Sequence, residues 1–395
     1  MRKLFILLFF LIPLLLSCEG VDTKDFGDEN IESVTYKLEN NLDPDEIVDI
    51  KDVETNDFNI LEIPFNEVIE NLESESMPFG IIQEYDPINN KFYFSKISNS
   101  AMKGITILDN DGNSKNIKVN THLFGLDSDL VDGKFIGLYN RLDGEDPRIR
   151  RITIDEKDQE NTEIIEFPSF EPVSYFYGIY SEISAFALGD DNTQNSIYIL
   201  PNDSTTLEEL FYSKLVKSND KDASKNQKLE RFINPSIFNK TLSFSVENSD
   251  LELISSYSYD LESEKLYKLS EEFDDIYGDI NRFLFTYKYH KDNSSGSVLL
   301  KNSEGVFEKY NLDGYREVES YRCYRVNENS LLVSTDNFID FIDIEAKTIY
   351  RVTDLMDQNI SNGGFSNGVY YFGIPQENSQ TGFMDFYKVD LNSIL

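Results

Sequence analysis

The stretch Phe283-Leu284-Phe285-Thr286-Tyr287 is a short apolar run, and Asp292-Asn293-Ser294-Ser295-Gly296 follows it with a dense cluster of turn-forming residues. A second run, Ser297-Val298-Leu299-Leu300, comes next, and beyond Gly305 a third occupies 306–312. Aromatic and β-branched residues in runs of this length, separated by Asn, Asp, Ser and Gly, predict strands joined by tight turns. Little sustained helical periodicity interrupts the pattern from residue 59 onward, so the chain reads as all-β.

The same unit recurs along the chain. Leading runs at 91–94, 134–139, 183–188, 242–246, 283–287, 331–334 and 369–372 are spaced by about 46 residues on average, the period of a propeller blade. Each is followed by a second strand, at 104–108, 151–155, 196–200, 253–261, 297–300, 338–344 and 383–391. Third strands follow in six units, at 116–119, 162–167, 207–215, 265–269, 306–312 and 348–352. This predicts a β-propeller of about seven blades over 58–395, with a pair of β-sandwiches as the alternative. The seventh unit lacks its third strand, and residues 58–65 form an alternating strand with no partner of its own. Sheet edges are normally paired or covered. The expectation is therefore that 60–65 hydrogen-bonds to the strand containing 386–391, or to its direct neighbour in that blade, and closes the ring from both termini.

At the other end, Arg2 and Lys3 precede an apolar run from Leu4 to Leu16 broken only by Pro13, too short for a stable membrane span and typical of a signal peptide. Leu15-Leu16-Ser17-Cys18 resembles the lipobox of bacterial lipoproteins. The resemblance implies removal of the leader (1–18 up to the lipidated residue), with Cys18 carrying diacylglycerol and an N-acyl chain, a membrane anchor worth about 0.8 kcal/mol per buried CH2. Glu19 follows, not the Asp that retains some Gram-negative lipoproteins at the inner membrane, so the outer membrane is expected, in either leaflet. Residues 19–57 carry acid after acid and read as a flexible tether. Over nearly the whole mature chain the repeat is similar to β-propeller lipoproteins, as architecture alone.

Charge and composition narrow the function. With 72 Asp+Glu against 36 Lys+Arg the net charge is −36, and a polyanion meets repulsion, so no nucleic-acid partner is expected. The chain holds 2 Cys, 2 His and no Trp, which removes disulfide scaffolds, zinc ribbons and most histidine-based catalysis. No metal site and no cofactor is read from it. Asp109-Asn110-Asp111-Gly112-Asn113-Ser114 spaces oxygen ligands as calcium loops do, but its Gly is misplaced for an EF-hand and a hairpin turn wants the same residues. His122 and His290 fall in different units, with no Gly-x-Ser-x-Gly elbow. Pro147-Arg148-Ile149-Arg150-Arg151 concentrates guanidinium groups, flanked by Glu145, Asp146, Asp155 and Glu156 that can pair with them. Cys323 is expected to be a buried, inert thiol.

In a propeller the strand before each leading run lines the central channel. Tyr175, Tyr177, Arg322, Tyr324 and Arg325 occupy such strands. Aromatics with arginines there make a mixed pocket for a planar or anionic small molecule, and inter-blade packing explains the same aromatics. The function expected is a non-enzymatic, lipid-anchored envelope propeller that binds a small-molecule or glycan ligand or an outer-membrane protein, alongside a nutrient transporter. A glycoside hydrolase using paired carboxylates and a structural envelope component remain as alternatives.

Overall fold

The computed structural model describes the chain from Thr35 to Leu391 outside connecting stretches, the longest of them 141–148, 167–173, 219–228, 354–360 and 376–382. The leader and Cys18 lie outside the described residues. The fold is an all-β propeller. Six blades are each made of four consecutive antiparallel strands. Their first and last strands are Gly80–Asp86 and Ser114–His122 (blade I), Leu126–Val131 and Glu160–Ile164 (II), and Ser174–Tyr180 and Glu208–Ser218 (III). Arg231–Phe238 and Lys265–Leu269 bound blade IV, Asp275–Asp279 and Phe307–Leu312 blade V, and Tyr321–Asn327 and Thr348–Thr353 blade VI. The unit expected as a seventh blade differs. It is a composite sheet in which Ser361–Ser366, Val369–Pro375 and Phe383–Asp390 are joined by Ile69–Asn71 and Met77–Pro78 from far upstream.

Blades stack face to face, so their middle strands are covered on both sides. Ser330–Thr335 is buried throughout and Thr241–Glu247 nearly so, and such strands read as continuous apolar runs. Apolar clusters join neighbouring sheets pairwise: Tyr93 of blade I stacks on Phe135 of blade II at 4.8 Å, and Phe211 of blade III meets Phe244 of blade IV at 5.4 Å. Phe92 of blade I meets Tyr371 of the C-terminal sheet edge-on at 5.3 Å. First strands of successive sheets pack against one another, which puts them at the centre and the fourth strands at the periphery.

From Thr35 onward the acidic segment is not a tether. Glu46–Val48 runs parallel to the outer strand of blade IV, Ile50–Asp52 parallel to that of blade V, and Asn59–Pro64 parallel to that of blade VI. Asn41 bonds Leu210 O and the Tyr212 N–H on the outer strand of blade III, both through its side chain, at 2.9 and 2.8 Å. Acidic residues face water while apolar ones drop between blades: Val48 is 1% exposed in the cluster shared by blades IV and V, and Phe58 packs on Tyr310 at 5.3 Å. Each fully buried anchor of this kind contributes roughly 1.5–3 kcal/mol. Counting charges missed this because the anchors are few and widely spaced. The belt also satisfies outer-edge N–H and C=O groups that the blades leave open.

Residues 60–65 consequently do not pair with 386–391. Ile60 lies opposite Ile349 in blade VI, and it is Ile69–Asn71, after the helical turn Phe65–Val68, that pairs with Val389, Lys388 and Tyr387. Alternation alone marked 58–65 as a strand but carried no information about which of two open edges would take it.

Candidate functional site

First strands of blades IV, V and VI wall a pocket of about 530 Å³, within the range of small-molecule sites. Asp275 and Tyr287 lie opposite each other in the blade V ladder, so their side chains share a face. Tyr321 reaches in from blade VI, its ring centroid 4.5 Å from that of Tyr287 and its hydroxyl donating to Asp275 Oδ2 at 2.5 Å. Tyr287 is itself fixed, donating to Val318 O at 2.8 Å. Asp274 Oδ2 accepts the Tyr289 N–H at 2.5 Å, and the Tyr289 side chain stands at the rim, 60% exposed.

Blade IV contributes through an irregularity. Its first pairing slips between Ile233 and Ser236, where Asn234 adopts a left-handed conformation (φ 49°) ahead of Pro235. Asn tolerates that conformation better than most residues, and Pro has no N–H to lose at a bulge. The bulge aims Asn234 Nδ2 at Asp274 O, 3.1 Å away, and Ser236 Oγ donates to Ile276 O.

Burial pushes the Asp275 carboxyl up to about 6; the Asp274 charge adds to this, and hydrogen bonds from Tyr321 and Asn234 oppose it. Burial likewise drives the Tyr321 phenol and the Cys323 thiol well above their ordinary values, with the Asp275 charge adding to both. At neutral pH the pocket therefore presents an ionised carboxylate beside a neutral phenol and a neutral thiol. Cys323 in this setting is a packing residue, since thiolate is the reactive form.

The residues singled out from sequence do not gather in one place. Tyr175 and Tyr177 lie opposite Leu188 and Phe186 in blade III, on a strand flanked by the first strands of blades II and IV; their side chains fall outside the described residues. The other three share Tyr321–Asn327, where strand alternation separates them. Arg325 keeps to the Tyr321 and Cys323 side, its guanidinium 5.4 Å from the Phe238 ring centroid. Tyr324 turns toward the C-terminal sheet, 5.6 Å from the Tyr370 ring, with its hydroxyl bonded to Arg322. Arg322 reaches the pocket lining; Tyr324 and Arg325 do not. Sequence reasoning missed Asp274, Asp275, Asn234, Tyr287 and Tyr289. Asp275 opens the strand ahead of 283–287 just as Tyr321 opens the one ahead of 331–334, and Asn234-Pro235 inside a strand marks a bulge, so usable signals were present.

Arg151 bonds Glu163, its register partner, at 2.7 and 3.1 Å, and Pro201 O at 3.2 Å, a structural pairing with an acid other than the flanking Asp155 and Glu156; Glu145 and Asp146 lie outside the described residues. Asp109 takes the Asn113 N–H at 2.8 Å, as a hairpin turn does. Among the described residues no group of three or more His, Cys, Asp and Glu is placed to hold a metal ion.

No family model matches this chain, and no curated protein matches it. Among solved structures it is similar to the Dos1 propeller, at 10% identity and a TM-score of 0.44, over 81% of this chain and 93% of that one. It is also similar to the N-terminal domain of Nup159, at 9% identity and a TM-score of 0.43, over 87% of this chain and all of that one. Neither likeness carries any residue's role across.

Proposed function

We propose that this chain is a binding propeller, held at the outer membrane by lipid on Cys18, whose ligand enters the pocket between blades IV, V and VI. The observation that supports binding is the wall itself: Asp275, Tyr287 and Tyr321, from two blades, held in one arrangement around open volume. The lipobox-like Leu15-Leu16-Ser17-Cys18 supports the anchor. An anchored binding module of this kind serves an outer-membrane protein, such as a nutrient transporter, by presenting its ligand. We also read the C-terminal sheet as a seventh blade, with Ile69–Asn71 closing the ring.

Thermal-shift screening of the full chain in detergent against small molecules and oligosaccharides tests the binding reading. Stabilising compounds whose effect disappears in Tyr321→Ala support it; compounds that act equally on that variant place binding elsewhere. For the anchor, Cys18→Ala is expected to lose radioactive palmitate and leave the membrane fraction, and persistent labelling contradicts it. For closure, Glu70→Cys with Lys388→Cys places thiols at register partners, and a cross-link is expected on oxidation.

A further inference from the structure

Asp275 is a half-buried carboxylate at the pocket wall, and among the described residues no lysine or arginine pairs with it. Its neighbours are the Tyr321 hydroxyl, the Asn234 amide and a second carboxylate, Asp274. Beside the fully buried Asp340 the fold supplies a cation, Arg351, through two hydrogen bonds of 2.7 Å, whereas the buried Asp260 is held by Ser263, Asn281 and backbone N–H groups. At Asp275 the place of that cation is open volume, with Tyr277, Tyr287, Tyr289 and Tyr321 in its lining. Aromatic faces attract cations through the ring quadrupole, most strongly where water is thinned out. Arg322, the one arginine in the lining, is bonded to Tyr324 on the other side of its strand. A chain of net charge −36 also draws small cations toward its surface.

Resting on the binding reading above, we propose that the pocket takes an organic ammonium cation, its charged nitrogen lying between the Asp275 carboxylate and the tyrosine rings. Asp275 and Asp274 supply the anionic side, with acceptor capacity beyond the Tyr321 and Tyr289 bonds they already accept. Tyr289, at the rim, covers the bound cation from outside. Acidification weakens binding. The titratable and charged groups around Asp275 are Asp274 just ahead of its strand, Tyr277 on that strand, Tyr287 on the paired strand and Tyr289 beyond its end, and Tyr321, Arg322 and Cys323 from blade VI. Of these, Asp275 itself gains a proton as pH falls through about 6.

The test is calorimetric titration of the full chain in detergent with three probes: choline, its neutral isostere 3,3-dimethyl-1-butanol, and benzoate. Choline is expected to bind at least about tenfold more tightly than the isostere, the difference that a desolvated cation–π and carboxylate site supports. Asp275→Asn is expected to abolish that preference together with the loss of affinity below pH 6. Tyr289→Ala changes only an exposed rim residue, so it keeps the test alive if the aspartate variant fails to fold, and it is expected to weaken choline about three- to tenfold. If the isostere or benzoate binds as tightly as choline and Tyr321→Ala abolishes it, the cation assignment is overturned and the pocket remains a binding site. If no probe binds at millimolar concentration, the cation assignment is overturned; the binding reading falls separately, if the wider screen also finds nothing sensitive to Tyr321→Ala.

Discussion

Asp340 is fully buried and Asp275 half-buried at a pocket wall, and both accept a tyrosine hydroxyl, Tyr315 at 3.0 Å in one case and Tyr321 at 2.5 Å in the other. Around Asp340 everything is filled. Arg351 bonds both carboxylate oxygens, its guanidinium lies 4.0 Å from the Phe338 ring centroid, and it packs so tightly on Gly314 that a Cβ there would lie 2.5 Å from its Nη1. Gly314 also has a positive φ of 92°, so glycine is required on two grounds. Burial alone would lower the Arg351 pKa, yet its bonds and charge pairing with Asp340 hold it above the ordinary value. Around Asp275 the tyrosine is present, and among the described residues no lysine or arginine pairs with it. One aspartate is a closed structural unit; the other lines open volume, where we place the proposed cation.

The largest effect expected from breaking the closed unit is that of Arg351→Met. It leaves Asp340 buried without its counter-charge and should cost about 3–5 kcal/mol in urea unfolding. Asp275→Asn should act in the opposite direction. The folded carboxyl titrates near 6 and the unfolded one near its ordinary value of about 4, so the native state binds the extra proton between them. Wild-type stability contributed by this group therefore falls as pH rises from about 4 to 6 and is level above that. The variant should be more stable than wild type at pH 7.5 by on the order of 1–2 kcal/mol, after discounting for solvent at the pocket mouth, and the gap should close by pH 4. Comparing the two urea midpoints across that range isolates Asp275 from the other acids, and a constant gap would contradict the assignment.

Tyr321→Phe should cost about 1 kcal/mol and raise the Asp275 pKa further, because the bond it removes favours the ionised form. Carboxyl NMR titration reads that shift directly. The smallest effect is expected at Lys309 and Glu271, 2.6 Å apart but partly exposed. There Glu271→Gln should change stability by less than about 0.5 kcal/mol and show the salt dependence that the Arg351 variant lacks.

The belt shows how reading by charge fails. Val48 and Phe58 are buried anchors inside a segment whose acid content marks it as solvated, and an average over the segment hides the two positions that determine its path. Residues 58–65 show a different limit. Period-2 alternation identifies a strand and its two faces, but the edge it joins depends on which outer strand lies within reach once the blades are stacked.

The sequence by itself determined the all-β class, the repeat of about 46 residues and the strand order within blades, because hydrophobic period and turn chemistry are local properties. It placed Arg322 in a central strand for the same reason. Only the tertiary structure decided that Asp275, Tyr287 and Tyr321 meet, that Arg351 attends Asp340 and no lysine or arginine attends Asp275 among the described residues, and that the acidic segment binds the outer edges. Those outcomes depend on how separate blades are rotated and stacked against one another, and contacts between residues far apart in the chain leave no period for a sequence to show.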